Sequence, residues 1–167
     1  MITEIGEAFV GDGPDAAHVN TVLGARGGPV EQAWVTALAT PTAGHAPFVV
    51  TLQPNLAVKP ATLFVNKATV RDERHASLTW GAAQAGVAAG VLDAVRAGVV
   101  REESVDDLVL LAAVWVDPAA IDAGAVFRNN REATAVALAA GRDRLPALRA
   151  LTEAGAAYNA FYPGSDR

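Results

Sequence analysis

Apolar and polar residues alternate with a period of two on both sides of a glycine-rich turn near the start of the chain. Because successive side chains of a strand point to opposite faces of a sheet, residues 2–10 and 17–23 are predicted to form two strands. The turn between them, residues 11–15, contains two glycines and a proline, which favour tight backbone turns. The alternation places His18 and Asn20 on the same face of the second strand. A titratable imidazole beside an amide, just after a turn, is a candidate for chemistry.

Three further stretches have the composition of strands. Residues 48–52 are rich in β-branched and aromatic side chains, and residues 62–70 alternate so that Lys67 and Thr69 share one face. A lysine in the middle of a strand is usually a solvated residue of the outer face. Residues 108–116 are apolar almost without interruption, which is typical of a strand buried on both faces. This last strand is predicted to form the centre of the sheet or a subunit contact.

Segments with a period of 3.6 residues predict the helices. Pro29 suits the first turn of one helix, and Asp72 suits the N-cap of the longest one, which is expected to run to about residue 97. Gln84 borders the apolar stripe of that helix, where a surface glutamine is the default interpretation. Residues 119–127 are expected to be irregular or a short helix. Further helices are predicted over residues 130–140 and 143–157.

The composition favours one domain spanning residues 1–167, with enough hydrophobic residues for a packed core. A net charge of −5 gives no general attraction to nucleic acid or to anionic membranes. The chain has no cysteine, which excludes disulfides, thiolate metal ligands and thiol nucleophiles, and no metal site is predicted. The first ten residues lack the basic and apolar stretches of a targeting signal, so a cytoplasmic location without membrane contact is expected.

One motif in the turn is misleading. Gly11, Gly13 and Ala16 fit the spacing of a dinucleotide-binding turn. That motif requires a helix directly after it, because the helix N-terminus holds the pyrophosphate. Here the following residues alternate as a strand, and Pro14 removes one amide donor. A nucleotide site is therefore not expected.

Several segments, taken in order, resemble the formaldehyde-activating enzymes. Each motif alone is weak, but their joint order and spacing are specific. The resemblance covers about residues 5–140, and residues 141–167 are interpreted as a C-terminal helix and tail. The matching segments are IGEAFVGDG, AHVN, GGPVEQA, QPNLAVKP, NKAT at residues 66–69, GAAQAGVA, VDDLVLLAAV and REAT.

The resemblance implies a two-layer α/β (α+β) sandwich, similar to the second domain of ribosomal protein S5. It implies a homopentamer with the active site near the subunit contacts. It also implies a carbon–oxygen lyase that joins formaldehyde to tetrahydromethanopterin, a reduced pterin acting as co-substrate, and releases water. No covalently bound cofactor is implied. Because hydroxide is a poor leaving group, an acid must protonate it as it departs from the carbinolamine that forms first.

Six residues fall on functional positions of that family. His18 falls on the acid, a role that suits a histidine because its pKa lies near neutral. The resemblance gives no role to His45 or His75, which are interpreted as surface or structural residues. The positions that contact the pterin in the family are occupied by Asn20, Val49, Lys67, Thr69 and Gln84.

The chain departs from the family pattern at one of these positions, since Asn20 stands where the family has an aspartate. A carboxylate accepts hydrogen bonds at both oxygens and adds a negative charge that would raise the pKa of the histidine, whereas an amide must donate at one atom. GAAQ also replaces GPAQ. Two alternatives therefore stay open beside the family reaction. One is a divergent paralogue that acts on another amine or carrier, and the other is a non-catalytic protein that binds a pterin or an aldehyde.

Overall fold

Seven strands and five α-helices follow one another in the computed structural model, which describes residues 3–155 and 157. No helix in this part of the chain is long and apolar enough to cross a membrane. The strands are β1 (Glu4–Val10), β2 (Ala17–Ala25), β3 (Phe48–Val49), β4 (Thr51–Gln53), β5 (Leu56–Ala57), β6 (Ala61–Asn66) and β7 (Leu108–Trp115). The helices are α1 (Pro29–Ala39), α2 (Glu73–Ser77), α3 (Gln84–Arg96), α4 (Ala123–Asp143) and α5 (Leu148–Glu153).

Five of the strands form one mixed sheet in the order β1-β2-β7-β6-β3. Strands β1, β2 and β7 are antiparallel neighbours, β6 runs parallel to β7, and β3 runs antiparallel to β6. The central place of β7 confirms the prediction made from its apolar run. A mixed sheet with helices packed against it also confirms the predicted α+β class, while the likeness to ribosomal protein S5 stays a prediction.

Helices α3 and α4 cover one face of this sheet. Gly6 of β1 lets α4 approach closely, because a Cβ at this position would overlap the carbonyl oxygen of Ala137. Gly86 and Gly90 do the same between the two helices, where a side chain would meet the backbone of α4. The buried core between sheet and helices includes Ala8, Val19, Leu23, Phe64, Val87, Val91, Leu110, Val114, Val126 and Ala133.

Helix α1 packs on the opposite face and covers only one end of it. Gly24 of β2 faces Val30 of α1 so closely that a Cβ there would collide with the valine methyl. Gly6 pairs with Thr21, three residues before Gly24, so Gly6 and Gly24 lie on opposite faces. We call the face shared with α1 the open face. Its three rows across the strands are Phe9, His18 and Trp115; then Glu7, Asn20, Ala113 and Val65; then Ile5, Val22, Leu111, Leu63 and Val49 next to α1.

Strand β7 is less buried than its apolar sequence predicts. Its side chains on the covered face are buried, but Leu111, Ala113 and Trp115 are partly exposed on the open face. The prediction of burial on both faces is therefore wrong for the second half of the strand, because α1 does not extend over it.

The predicted strand 62–70 ends earlier, at Asn66. The Asn66 side chain donates hydrogen bonds to the carbonyl oxygens of Ala68 and Gly44, both at 2.8 Å, and these bonds turn the chain out of the sheet. Lys67 and Thr69 therefore follow the strand instead of sharing its face.

The longest predicted helix starts as expected, with the Asp72 side chain accepting from the amide of His75 at 2.8 Å. A π-helical turn, Leu78–Ala83, then separates α2 from α3. Such wider turns occur as short insertions in α-helices. Gly81, a residue of low helix propensity, lies in this one.

Helix α4 is longer than predicted. The Asp122 side chain caps it by accepting from the amides of Gly124 and Ala125, so residues 123–127 are helical. It continues through Gly141 to Asp143 and ends at Arg144, whose φ of 53° is left-handed. Of the C-terminal helix predicted over residues 143–157, Leu148–Glu153 forms α5 in the described part of the chain, and Asp143 is the last residue of α4. The tail assigned to residues 158–167 lies outside the described residues.

Replacing Gly6 by alanine is expected to destabilise the fold by about 1–3 kcal/mol or more, because the new methyl group must push β1 and α4 apart. Urea unfolding monitored by circular dichroism measures this. Gly81→Ala is the control, since a Cβ at Gly81 meets open space. Equal unfolding midpoints for the two variants would contradict the close approach.

Candidate active site

The turn before His18 is tied to the start of α4. The Asp15 carboxylate accepts from the backbone amides of Ile121 and Asp122, at 2.8 and 3.0 Å, and Asn129 donates to the Asp15 carbonyl oxygen at 2.8 Å. The turn itself contains a single 3₁₀ turn and leads directly into β2. The strand after the glycines is the one that the alternation predicted.

His18 lies on the open face near the start of β2. It pairs with Phe9 of β1 on one side and with Trp115 of β7 on the other. The rings of Phe9 and His18 are tilted, with centroids 6.2 Å apart. The His18 ring therefore lies between two apolar neighbours. Its side chain is 36% exposed, so a small molecule can reach it.

Glu7 is the functional candidate that sequence analysis missed. Its Oε1 atom lies 2.9 Å from Nε2 of His18, diagonally across the hairpin of β1 and β2. A proton on Nε2 is therefore shared with a carboxylate. Because both side chains are exposed, this pair adds about 1 kcal/mol or less to the free energy of unfolding, and its interest is chemical. Counting the same number of residues away from the turn along β1 and along β2 would have placed Glu7 opposite Asn20, and therefore diagonal to His18.

Asn20 and Lys67 meet above β7. The Lys67 ammonium donates to Oδ1 of Asn20, with Nζ and Oδ1 2.5 Å apart. Strands β2 and β6 are separated by β7, and neighbouring strands lie about 4.8 Å apart, so the lysine must reach across a whole strand. Ala113 is the β7 residue in register with Asn20, and its small side chain leaves the path clear.

Lys67 is partly buried at this position. Burial lowers the pKa of its ammonium below the usual value, because a charged group loses solvation there. The Glu7 carboxylate acts in the opposite direction and favours the charged form. Glu7 therefore interacts electrostatically with both His18 and Lys67.

Thr69 is held by His45, a residue to which sequence analysis gave no functional role. Nδ1 of His45 lies 2.9 Å from the carbonyl oxygen of Asn66, and Nε2 lies 2.9 Å from Oγ1 of Thr69. Because only a donor can bond the carbonyl, Nδ1 carries the hydrogen and Nε2 of the neutral ring accepts from the threonine hydroxyl. His45 therefore connects the loop before β3 to the segment that carries Lys67 and Thr69.

Val49 and Gln84 lie at the β3 edge, away from His18. Val49 is on the open face, in the row next to α1. Gln84 begins α3 on the covered side of the sheet, and its Oε1 accepts from the amide of Thr51 at 2.9 Å. A single chain thus brings together His18, Asn20 and Lys67, and leaves Gln84 on the other side of the sheet.

His75 is a structural residue, which is one of the two roles that the sequence analysis gave it. It is 1% exposed, it accepts at Nδ1 from the amide of Arg71, and it donates at Nε2 to the carbonyl oxygen of Val116. Within residues 3–155 and 157, no group of three or more histidine, aspartate or glutamate side chains is placed to hold a metal ion.

Glu7→Gln is expected to lower the pKa of Lys67 further, because it removes the carboxylate that favours the ammonium. The chain has two lysines, so the ¹³Cε resonances of Lys59 and Lys67 can be titrated separately by NMR. Lys59, which pairs with Asp106, serves as the internal control. A rise in the pKa of Lys67 in the variant would refute this electrostatic link.

Comparison with known proteins gives this geometry a family. A sequence model described as "Formaldehyde-activating enzyme (Fae)" matches residues 5–161. The chain is 42% identical over 144 residues to the 5,6,7,8-tetrahydromethanopterin hydro-lyase of Methanosarcina barkeri, covering 86% of this chain and 81% of that protein. It is 42% identical over 142 residues to the bifunctional enzyme Fae/Hps of Methanococcoides burtonii, covering 85% of this chain but 36% of that one. The corresponding enzyme of Methanosphaera stadtmanae is 40% identical over 147 residues, with shares of 88% and 36%. The chain belongs to the formaldehyde-activating enzyme family.

Proposed function

We propose that this protein condenses formaldehyde with tetrahydromethanopterin to methylene-tetrahydromethanopterin and water, with His18 as the proton donor. The observation that carries the proposal is the position of His18. In a chain of this family, it lies accessible on the open face with a carboxylate 2.9 Å from one ring nitrogen.

The reaction requires one proton donor and close positioning of the pterin nitrogens and formaldehyde. A pterin nitrogen attacks the formaldehyde carbon, and its proton passes to the oxygen, giving a carbinolamine. His18 in its protonated form donates a proton to the hydroxyl group, which leaves as water. The resulting iminium is attacked by the second pterin nitrogen, whose proton returns to His18. Glu7 holds the ring in place between these steps, since its carboxylate lies 2.9 Å from Nε2 of His18.

The surroundings of His18 suit a ligand with one polar and one apolar part. Lys67 and Asn20 offer polar groups beside His18, and the Thr69 hydroxyl lies on the segment that carries Lys67. Val49 belongs to the apolar row that borders α1 and is proposed to contact the flat pterin ring. Holding the amine and formaldehyde together on this face supplies the rest of the rate enhancement by proximity.

We also propose that the protein works as an oligomer, a homopentamer by its family resemblance. The open face exposes large apolar side chains, with Ile5 67% and Phe9 53% exposed, as is typical of a surface that contacts another chain. Gln84 and His18 lie on opposite sides of the sheet, so a ligand that touches both must be bound between two copies.

His18→Gln is expected to lower the catalysed rate by about 100- to 10,000-fold, because the variant cannot donate the proton that hydroxide needs. The measurement is formaldehyde consumption with tetrahydromethanopterin and, separately, with tetrahydrofolate, corrected for the spontaneous reaction. Arg149→Gln, which alters an exposed ion pair on α5, is the control and should keep full activity.

An unchanged rate in folded His18→Gln protein would remove His18 from the mechanism. A rate enhancement with tetrahydrofolate alone would point to a paralogue with another carrier. No enhancement with either compound would favour the binding role, because Asn20 removes a carboxylate that the family places in the pocket.

Mixing His18→Gln and Gln84→Ala subunits is expected to restore activity that neither variant has alone. If each site combines two copies, about a quarter of the sites in an equal, randomly mixed oligomer hold both native residues. Turnover is measured after the subunits are unfolded and refolded together, and sedimentation gives the oligomeric state. Activity no higher than the average of the separate variants would contradict a shared site.

A further inference from the structure

Lys67 donates its hydrogen bond to a neutral amide. In the described part of the chain, no carboxylate oxygen lies within ion-pair distance of its Nζ, and its contact is the 2.5 Å bond to Oδ1 of Asn20. An amide oxygen accepts a hydrogen from an ammonium group and also from a neutral amine. The contact therefore fixes the position of the nitrogen without requiring its extra proton.

An aspartate at position 20 would act differently, because an opposite charge within 4–6 Å strongly favours the ammonium form. In this chain the nearby carboxylate, Glu7, is paired with His18 instead. Partial burial also lowers the pKa of Lys67, which increases the fraction of neutral amine at a given pH. At a pH below the pKa, each unit by which the pKa of the lysine falls raises the fraction of neutral amine about tenfold.

A neutral primary amine is a nucleophile toward aldehydes, as in the Schiff bases that lysines form in enzymes. The Asn20 contact holds Nζ over Ala113, on the face where His18 lies two residues from Asn20. The nucleophile and a proton donor thus lie on the same face of the sheet, with Asn20 two residues from His18.

We propose that Lys67 captures formaldehyde covalently as an iminium and passes the one-carbon unit to the acceptor amine. In this route the acceptor amine attacks the lysine iminium instead of free formaldehyde, and His18 acts first as the acid on the lysine carbinolamine. The identity of that acceptor rests on the function proposed above, whereas the capture step does not.

The capture step balances with the residues present. The lone pair of neutral Lys67 forms a bond to the formaldehyde carbon, and a proton moves from nitrogen to oxygen, giving a carbinolamine. Protonated His18 gives its proton to the hydroxyl group, which leaves as water, and the nitrogen lone pair forms the iminium. The acceptor amine then attacks the same carbon, and its proton goes to Lys67, which departs as a neutral amine. No oxidant or reductant is consumed.

Reductive trapping in the absence of any pterin tests this step. Wild-type protein is treated briefly with formaldehyde and cyanoborohydride, which converts an iminium into an N-methyl group, and each lysine is quantified by peptide mass spectrometry. Lys59 is an internal control, because it is exposed and its Nζ lies 2.6 Å from Oδ1 of Asp106. Methylation of Lys67 is expected to be several-fold faster than that of Lys59. Equal or slower methylation of Lys67 would overturn the proposal.

Two variants make the test specific. Asn20→Asp is expected to reduce methylation at Lys67 to the rate of Lys59, because the new carboxylate holds the ammonium, and to leave Lys59 unchanged. Lys67→Arg keeps a cation and a donor for Asn20 but cannot form the iminium, so it is expected to lower kcat by at least tenfold, with a smaller change in KM. Lys59→Arg should retain full activity.

The outcomes separate the two proposals. Full kcat in Lys67→Arg, or unchanged trapping in Asn20→Asp, would overturn covalent capture and leave the condensation activity standing. Selective trapping at Lys67 without turnover of tetrahydromethanopterin would support capture and overturn that pterin as the acceptor. Circular dichroism of each variant confirms that the fold is retained.

Discussion

The register of β2 between β1 and β7 determines where the polar groups of this protein lie. Side chains alternate along a strand, so a slip of one residue would move His18 and Asn20 into the core and expose Val19. Burial of the core residues on the other face therefore fixes the chemistry on this one. The turn after β1, which Asp15 ties to the start of α4, holds that register from the end of the hairpin.

Much of this arrangement could be predicted from the sequence because it is local. Alternation alone placed His18 and Asn20 on one face, and an apolar run identified the central strand. Glu7 was missed because its contact with His18 depends on pairing between two strands, which a one-strand pattern does not contain. The early end of β6 was missed because it depends on hydrogen bonds from Asn66 to a distant loop. The partly exposed half of β7 depends on how far α1 extends, which no periodicity records.

Few side chains on the open face interact with its two basic residues, His18 and Lys67. Glu7 serves both His18 and Lys67, and Asn20 contributes an acceptor without a charge. Because Asn20 is uncharged, Glu7 is the carboxylate that acts on these two basic residues in the described part of the chain. A change at Glu7 would thus remove a contact of His18 and also a charge that favours the ammonium form of Lys67.

The three rows of the open face differ in polarity. The row with Glu7 and Asn20 is polar, the row with His18 places the imidazole between Phe9 and Trp115, and the row that borders α1 is apolar from Ile5 to Val49. The surface therefore has a direction, because His18 lies on one side of the polar row and the apolar row lies on the other. Ala113 is part of the polar row, under the Lys67 side chain. A flat molecule with a reactive amine at one edge can lie on it productively in one orientation and not in the reverse. Selection among substrates can thus arise from how a molecule is turned as well as from which groups it carries.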